Sequence, residues 1–134
     1  MKLSKMFKKP EMRIYNIDNF WKIIVLTSIR NDWFHTGHRT VLAPRIVCKD
    51  GFSVSVQAGS CMHSEPREDG LFEYDSYELG WPTERVKLLD DYAEYVYDDP
   101  DTDWTHMVYT YVPKAVVNKL IRRHGGIVDV KWQV

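Results

Sequence analysis

Residues 50–58 read DGFSVSVQA, and few folds can hold that run except as one arm of a hairpin. Asp50-Gly51 is a turn pair. After it, Phe52, Val54, Val56 and Ala58 alternate with Ser53, Ser55 and Gln57. That is the two-residue period of a strand with one apolar and one polar face. The partner arm is predicted over residues 39–48, where Pro44 requires an edge or a bulge. A polar loop at residues 59–70, GSCMHSEPREDG, hangs from the far end of the strand. Loops carried on rigid strands commonly hold contact residues.

The remaining elements follow from period and punctuation. Residues 74–81 and 106–112 are predicted strands, followed by Pro82 and Pro113. Pro113 suits the first position of a helix over 113–124, in which Val116, Val117, Leu120, Ile121 and His124 share a face. Arg122 and Arg123 complement the end of its dipole, and Gly125 stands where a C′ glycine belongs. Residues 127–132 form a last strand, with Val128, Val130 and Trp132 expected inward. Residues 83–96 suggest a short helix carrying Leu89, Tyr92, Ala93 and Val96. Over residues 14–29, Ile23-Ile24-Val25 favours a helical turn leading into a strand.

About five strands and two or three helices, segregated in order, predict an α+β fold with a mainly antiparallel sheet and an amphipathic helix near the C-terminus. A chain of 134 residues is long enough for one real core. The expected organisation is a single domain at 14–134 behind a flexible basic arm at 1–13.

The net charge of −1 hides strong zoning, with +6 over residues 1–50, −11 over 51–104 and +4 over 105–134. A bipolar surface, or internal ion pairing, is therefore expected. The start, MKLSKMFKKP, lacks the apolar core of a signal peptide, and the apolar run at 23–26 is too short to span a bilayer. Cytosolic residence with Cys48 and Cys61 unbridged is the expectation.

Several constellations could carry chemistry. His35, His38, Cys61 and His63, with Cys48 before the turn, could make a tetrahedral zinc site if the hairpin ends converge, but the spacing matches no standard finger and no CxxC occurs. Neither a metal nor a cofactor is expected. Cys61 beside His63 and Arg67 could be an activated thiol, yet no glycine elbow or oxyanion signature accompanies it, so no enzyme activity is expected. Ser55, Gln57, Ser64 and Arg67, with Ser53, could surround a phosphate or carboxylate. The acidic run containing Asp98, Asp99, Asp101 and Asp103 could instead imitate phosphates. A pI near 6.5 and no readout motif argue against direct nucleic-acid binding.

Residues 50–58, then Pro66-Arg67, Glu78-Leu79-Gly80-Trp81-Pro82, Tyr111-Val112-Pro113 and His124-Gly125-Gly126-Ile127, together resemble small uncharacterised proteins of tailed phages and prophages. The likeness spans about residues 33–128. Members of that group carry a shorter Cys-Ser-Pro-Arg stretch where this chain has residues 61–67, so no role for Cys61 carries over. The resemblance implies a phage origin and a host-cytoplasm setting. It implies no activity; by analogy of class, with the charge zoning and aromatic residues as local support, the expected function is a binding protein that inhibits a host macromolecule, such as a defence nuclease of the CRISPR type. The expected partner is a host protein or protein–nucleic acid complex, with oligomeric state open. The alternatives are a binder that sequesters an anionic nucleotide or signal, and a weak metalloprotein or enzyme.

Overall fold

A computed structural model describes residues 17–33, 40–95 and 99–133. The basic arm at 1–13, His35, His38 and Asp98 lie outside the described residues. The chain is α+β. Helix α1 (Ile17–Trp33) is followed by strands β1 (Arg45–Cys48), β2 (Ser53–Gln57) and β3 (Ser76–Gly80). Short 3-10 helices at Lys87–Tyr92 and Trp104–His106 precede β4 (Val108–Pro113), α2 (Lys114–Arg123) and β5 (Ile127–Lys131). The five strands form one antiparallel sheet in the order β4-β3-β2-β1-β5. Among the described residues no helix is long and apolar enough to cross a membrane.

The expected hairpin is β1–β2, with Ile46 opposite Val54 and Val47 opposite Ser53. At its turn the Gly51 N–H donates to the Cys48 carbonyl (2.9 Å), and Gly51 has φ +91°. Asp50 Oδ1 accepts from the Phe52 N–H at 2.9 Å, and its Oδ2 lies 2.6 Å from His124 Nδ1. The His124 ring stacks on Phe52 at 4.0 Å. The C-terminus of α2 is thereby clamped onto the turn.

Helix α2 buries Val117, Leu120 and Ile121 as the apolar period requires. Gly125 closes it with φ +89°, and its N–H donates to the Arg122 carbonyl at 3.1 Å. A Cβ there would sit 2.9 Å from Lys49 Cβ, so glycine serves both the turn and the close approach.

Three departures from the sequence reading have physical causes. First, α1 is one continuous helix of 17 residues, with no strand at Ile23–Val25. Phe20, Ile24, Ser28 and Asn31 are its buried positions, spaced four, four and three apart. That stripe lets burial override β-branched propensity. Second, β2 is buried on both faces, because Ser53, Ser55 and Gln57 are covered rather than solvated. Third, the register slips between Val47 and Cys48, so Val47 faces Asp129 while Cys48 faces Ile127. This bulge makes Val128 the extra residue, and Ile127 and Val130 point into the core. Val128 and Trp132, expected inward, are 53% and 55% exposed. In the acidic stretch the helix shrinks to the 3-10 turn at Lys87–Tyr92, which buries Leu89.

The covered polar face of β2 is a hydrogen-bonded layer. Gln57 Oε1 accepts from the Ala43 N–H at 2.8 Å, while its Nε2 donates to the Ala43 carbonyl and Ser55 Oγ, both at 2.9 Å. Asn31 treats Val41 the same way, accepting its N–H and donating to its carbonyl, each at 2.9 Å. Two side-chain amides thus hold the lead-in to β1 where a neighbouring strand otherwise would. At the sheet edge, Asp129 Oδ1 accepts the Val130 N–H at 2.8 Å.

Candidate functional site

The loop at 59–70 is folded around its own polar groups. Ser64 is fully buried, accepting from the Gly59 N–H at 3.1 Å and donating to the Pro66 carbonyl at 3.0 Å. Ser60 closes the base of the loop, its N–H and Oγ reaching the Asp69 carboxylate at 3.0 and 2.7 Å. Arg67 is exposed, with Nε donating to the Met62 carbonyl at 3.1 Å. The anion set expected from the sequence therefore does not assemble. Ser55, Gln57 and Ser64 are buried and engaged internally, and only Arg67 faces solvent. Gln57 and His124 stand at opposite ends of β2.

Cys48 is buried and Cys61 exposed, and both are free thiols. Burial, and to a lesser degree Asp50, push the Cys48 thiol up to about 11. Cys61 has Thr40 Oγ1 and Ser60 Oγ at 3.8 Å. Among the described residues no three His, Cys, Asp or Glu side chains are grouped to hold a metal.

Asp99, Asp101 and Asp103 are exposed, in an ordered turn. Asp99 Oδ1 accepts the Asp101 N–H at 2.9 Å, and Asp103 Oδ1 accepts the Thr105 N–H at 2.9 Å. Hydrogen bonds from the Thr105 hydroxyl and N–H, then from His106, hold the Asp103 carboxyl below the usual carboxylate range. Beside this turn an open cleft of about 430 Å³ is lined by Glu94, Tyr95, Asp99, Thr102, Asp103 and His106, with Met107 and Val108.

The outer ribbon β3–β4 carries the residues that sequence reasoning missed. Trp81 (φ +56°) follows β3, and Tyr111 (φ +52°) sits in β4 where the pairing slips opposite Glu78. A bulky side chain in the left-handed region is strained, by about 1–3 kcal/mol. Burial does not recover that energy, because Trp81 is 50% and Tyr111 40% exposed.

Each aromatic ring meets a histidine edge-on, Trp81 with His106 at 5.0 Å and Tyr111 with His63 at 5.8 Å. Each histidine in turn has Nδ1 against a carboxylate. His63 Nδ1 lies 2.9 Å from Glu78 Oε1, and His106 Nδ1 contacts Asp103 Oδ2. A carboxylate oxygen accepts, so in each ring it is Nδ1 that donates. The ribbon and the two loops against it thus hold two copies of one arrangement: carboxylate, imidazole, half-exposed aromatic. Roughly three residues of strand, about 10 Å, separate the two. No signal in the sequence marks them, since left-handed positions are normally flagged by Gly or Asn.

No family model matches this chain, and neither does any curated protein or any solved structure.

Proposed function

We propose that this chain is a binding protein that engages a macromolecule through the Trp81–Tyr111 ribbon and the acidic turn beside it. The observation that carries this reading is the pair of strained, half-exposed aromatic residues, one just past β3 and one in β4. Strain held at a surface without burial is explained by an orientation required for contact. Trp and Tyr are the residues that most often dominate interface energetics.

The chemistry of the face selects the partner. Glu78, Asp99 and Asp103 bring carboxylates to this face, so the complementary surface supplies donors and positive charge. The nucleic-acid channel of a nuclease is such a surface. The specific form of the reading is therefore inhibition of a host-defence nuclease, in line with the class-level analogy to small phage proteins that act by binding. The anionic-nucleotide alternative loses support at its original position, because Ser55, Gln57 and Ser64 are enclosed.

The test compares the wild-type chain with a Trp81→Gly/Tyr111→Gly variant as bait in host lysate, followed by a cleavage assay on the nuclease recovered. Glycine accepts the left-handed backbone, so the fold is kept while both rings are removed. Loss of capture and of inhibition is expected. Equal capture by the two baits would sink the proposal.

A further inference from the structure

The two edges of the sheet differ. Along β4, Ala93 bridges Tyr109, the Glu94 N–H donates to the Val108 carbonyl at 2.9 Å, and the Tyr111 N–H donates to the His63 carbonyl at 3.0 Å. Along the outer side of β5, no backbone hydrogen bond is made among the described residues. The orientation of the β5 backbone follows from its neighbour β1. The Cys48 N–H donates to the Phe52 carbonyl on the β2 side, and the Lys49 N–H to the Gly126 carbonyl on the β5 side. Alternation along β1 turns the Ile46 backbone to β2, so Ile46 and Val130 are a non-hydrogen-bonded pair. The Val130 N–H and carbonyl therefore point away from β1, and the N–H is met by Asp129 Oδ1 at 2.8 Å.

The sequence of this edge is self-complementary. Asp129 and Lys131 flank Val130, and among the described residues neither belongs to an ion pair. Antiparallel pairing of β5 with the same strand of a second copy, centred on Val130, sets each Asp129 opposite the other copy's Lys131. Val130 meets Val130 as a hydrogen-bonded pair, exchanging both N–H···O=C bonds. The Asp–Lys pairs fall at non-hydrogen-bonded positions, where Cα atoms are about 4.5 Å apart and side chains are closest. Sliding by two residues is the smallest step that keeps the outward groups paired. It puts Asp129 against Asp129 or Lys131 against Lys131, so charge selects one register. The same count sets Val128 opposite Trp132, which are 53% and 55% exposed in the single chain. A bulge and a lysine also serve to keep edges apart. Charge of a single sign has that effect; opposite charges placed symmetrically about an outward N–H have the reverse.

We infer that β5 is a dimerisation edge and that its occupant is β5 of a second copy of this chain. Pairing joins the two five-stranded sheets into one. Asp129 exchanges the N–H of its own strand for a lysine ammonium, and the released Val130 N–H passes to a backbone carbonyl. Strand β4 lies at the opposite edge, so this pairing leaves the Trp81–Tyr111 ribbon of each copy uncovered. The inference is independent of the macromolecular reading, since it needs only β5.

The test is sedimentation equilibrium of the full chain over a range of concentrations, with a thermal melt of each variant to check folding. The wild-type chain should approach twice its 15.8 kDa mass. Asp129→Lys sets lysine against lysine, and Lys131→Asp sets aspartate against aspartate. Either should weaken association about tenfold or more. An equimolar mixture of the two single variants should recover the two-chain species, because each lysine then faces an aspartate. The double exchange Asp129→Lys/Lys131→Asp should recover it alone. Asp129 is half-buried and Lys131 exposed, so Lys131→Asp decides by itself if Asp129→Lys fails to fold. A wild-type chain that stays monomeric throughout would overturn the inference. So would Lys131→Asp dimers as tight as wild type, or folded single variants that do not recover association on mixing.

Discussion

The turn end of β2 and the outer β3–β4 ribbon obey different rules. At the turn, every local preference agrees with the fold. Gly51 takes the positive φ, Asp50 binds both the Phe52 N–H and His124, and Gly125 closes α2 against Lys49. On the ribbon, Trp81 and Tyr111 occupy backbone positions that suit glycine, and both remain half-exposed. Consistency across levels is what specifies a structure, and local violations that persist mark places where something other than stability is being served. The turn region builds the fold, and the ribbon is the face we propose for contact.

The largest expected effect lies in the consistent region. Leu120→Ala should lose on the order of 2–5 kcal/mol, because Leu120 is fully buried where α2 meets the core. A loss below about 0.5 kcal/mol by chemical denaturation would show that this face is not core and erase the contrast.

Next come paired substitutions on the ribbon. Trp81→Gly and Trp81→Ala remove the same ring, but only glycine relieves the backbone. The glycine variant should be more stable than the alanine variant by about 1–2 kcal/mol. Tyr111 should behave alike. Equal stabilities within a pair would mean that the left-handed positions are not strained.

A smaller effect concerns acid. The Phe52 N–H, then His124, hold the Asp50 carboxyl below its ordinary range. A depressed carboxyl contributes stability above its unfolded value and loses it as pH falls through the folded one. Asp50→Asn should therefore flatten the acid limb of the Tm–pH curve. An unchanged limb would remove Asp50 from the clamp.

The smallest perturbation is chemical labelling. Under native conditions near pH 7.5 the exposed Cys61 should react with a thiol reagent and buried Cys48 should not. Mass spectrometry finding two labels would show that the hairpin core opens readily.

Legibility in the sequence follows the same division. The hairpin, β3, β4 and α2 were readable because period, turn residues and capping glycine all speak locally. The continuity of α1 was not, since Ile23-Ile24-Val25 favours strand and only the Phe20–Ile24–Ser28–Asn31 stripe against the core decides otherwise. Nor was the burial of Ser53, Ser55 and Gln57, whose cover comes from residues as distant as Gln133, with Nε2 3.2 Å from Ser55 Oγ. Of the expected anion set, Arg67 faces solvent, whereas Ser64 is the internal brace of its loop. The bulge at Val128 moved an expected core residue outward. The paired imidazoles at His63 and His106 depend on strand register, which the sequence leaves open.

The amides that hold Val41 and Ala43 carry a consequence for how this protein ages. Asn31 and Gln57 each face a backbone N–H with an oxygen and a backbone carbonyl with a nitrogen. Hydrolysis of either amide to its acid changes the side chain by little more than one atom, yet sets a second acceptor against a carbonyl. The lead-in to β1 would then be pushed off from within while the strands stayed paired. Their burial shields both amides from water, so the rate of this slow chemical release reports how often residues 40–44 lift away from the sheet.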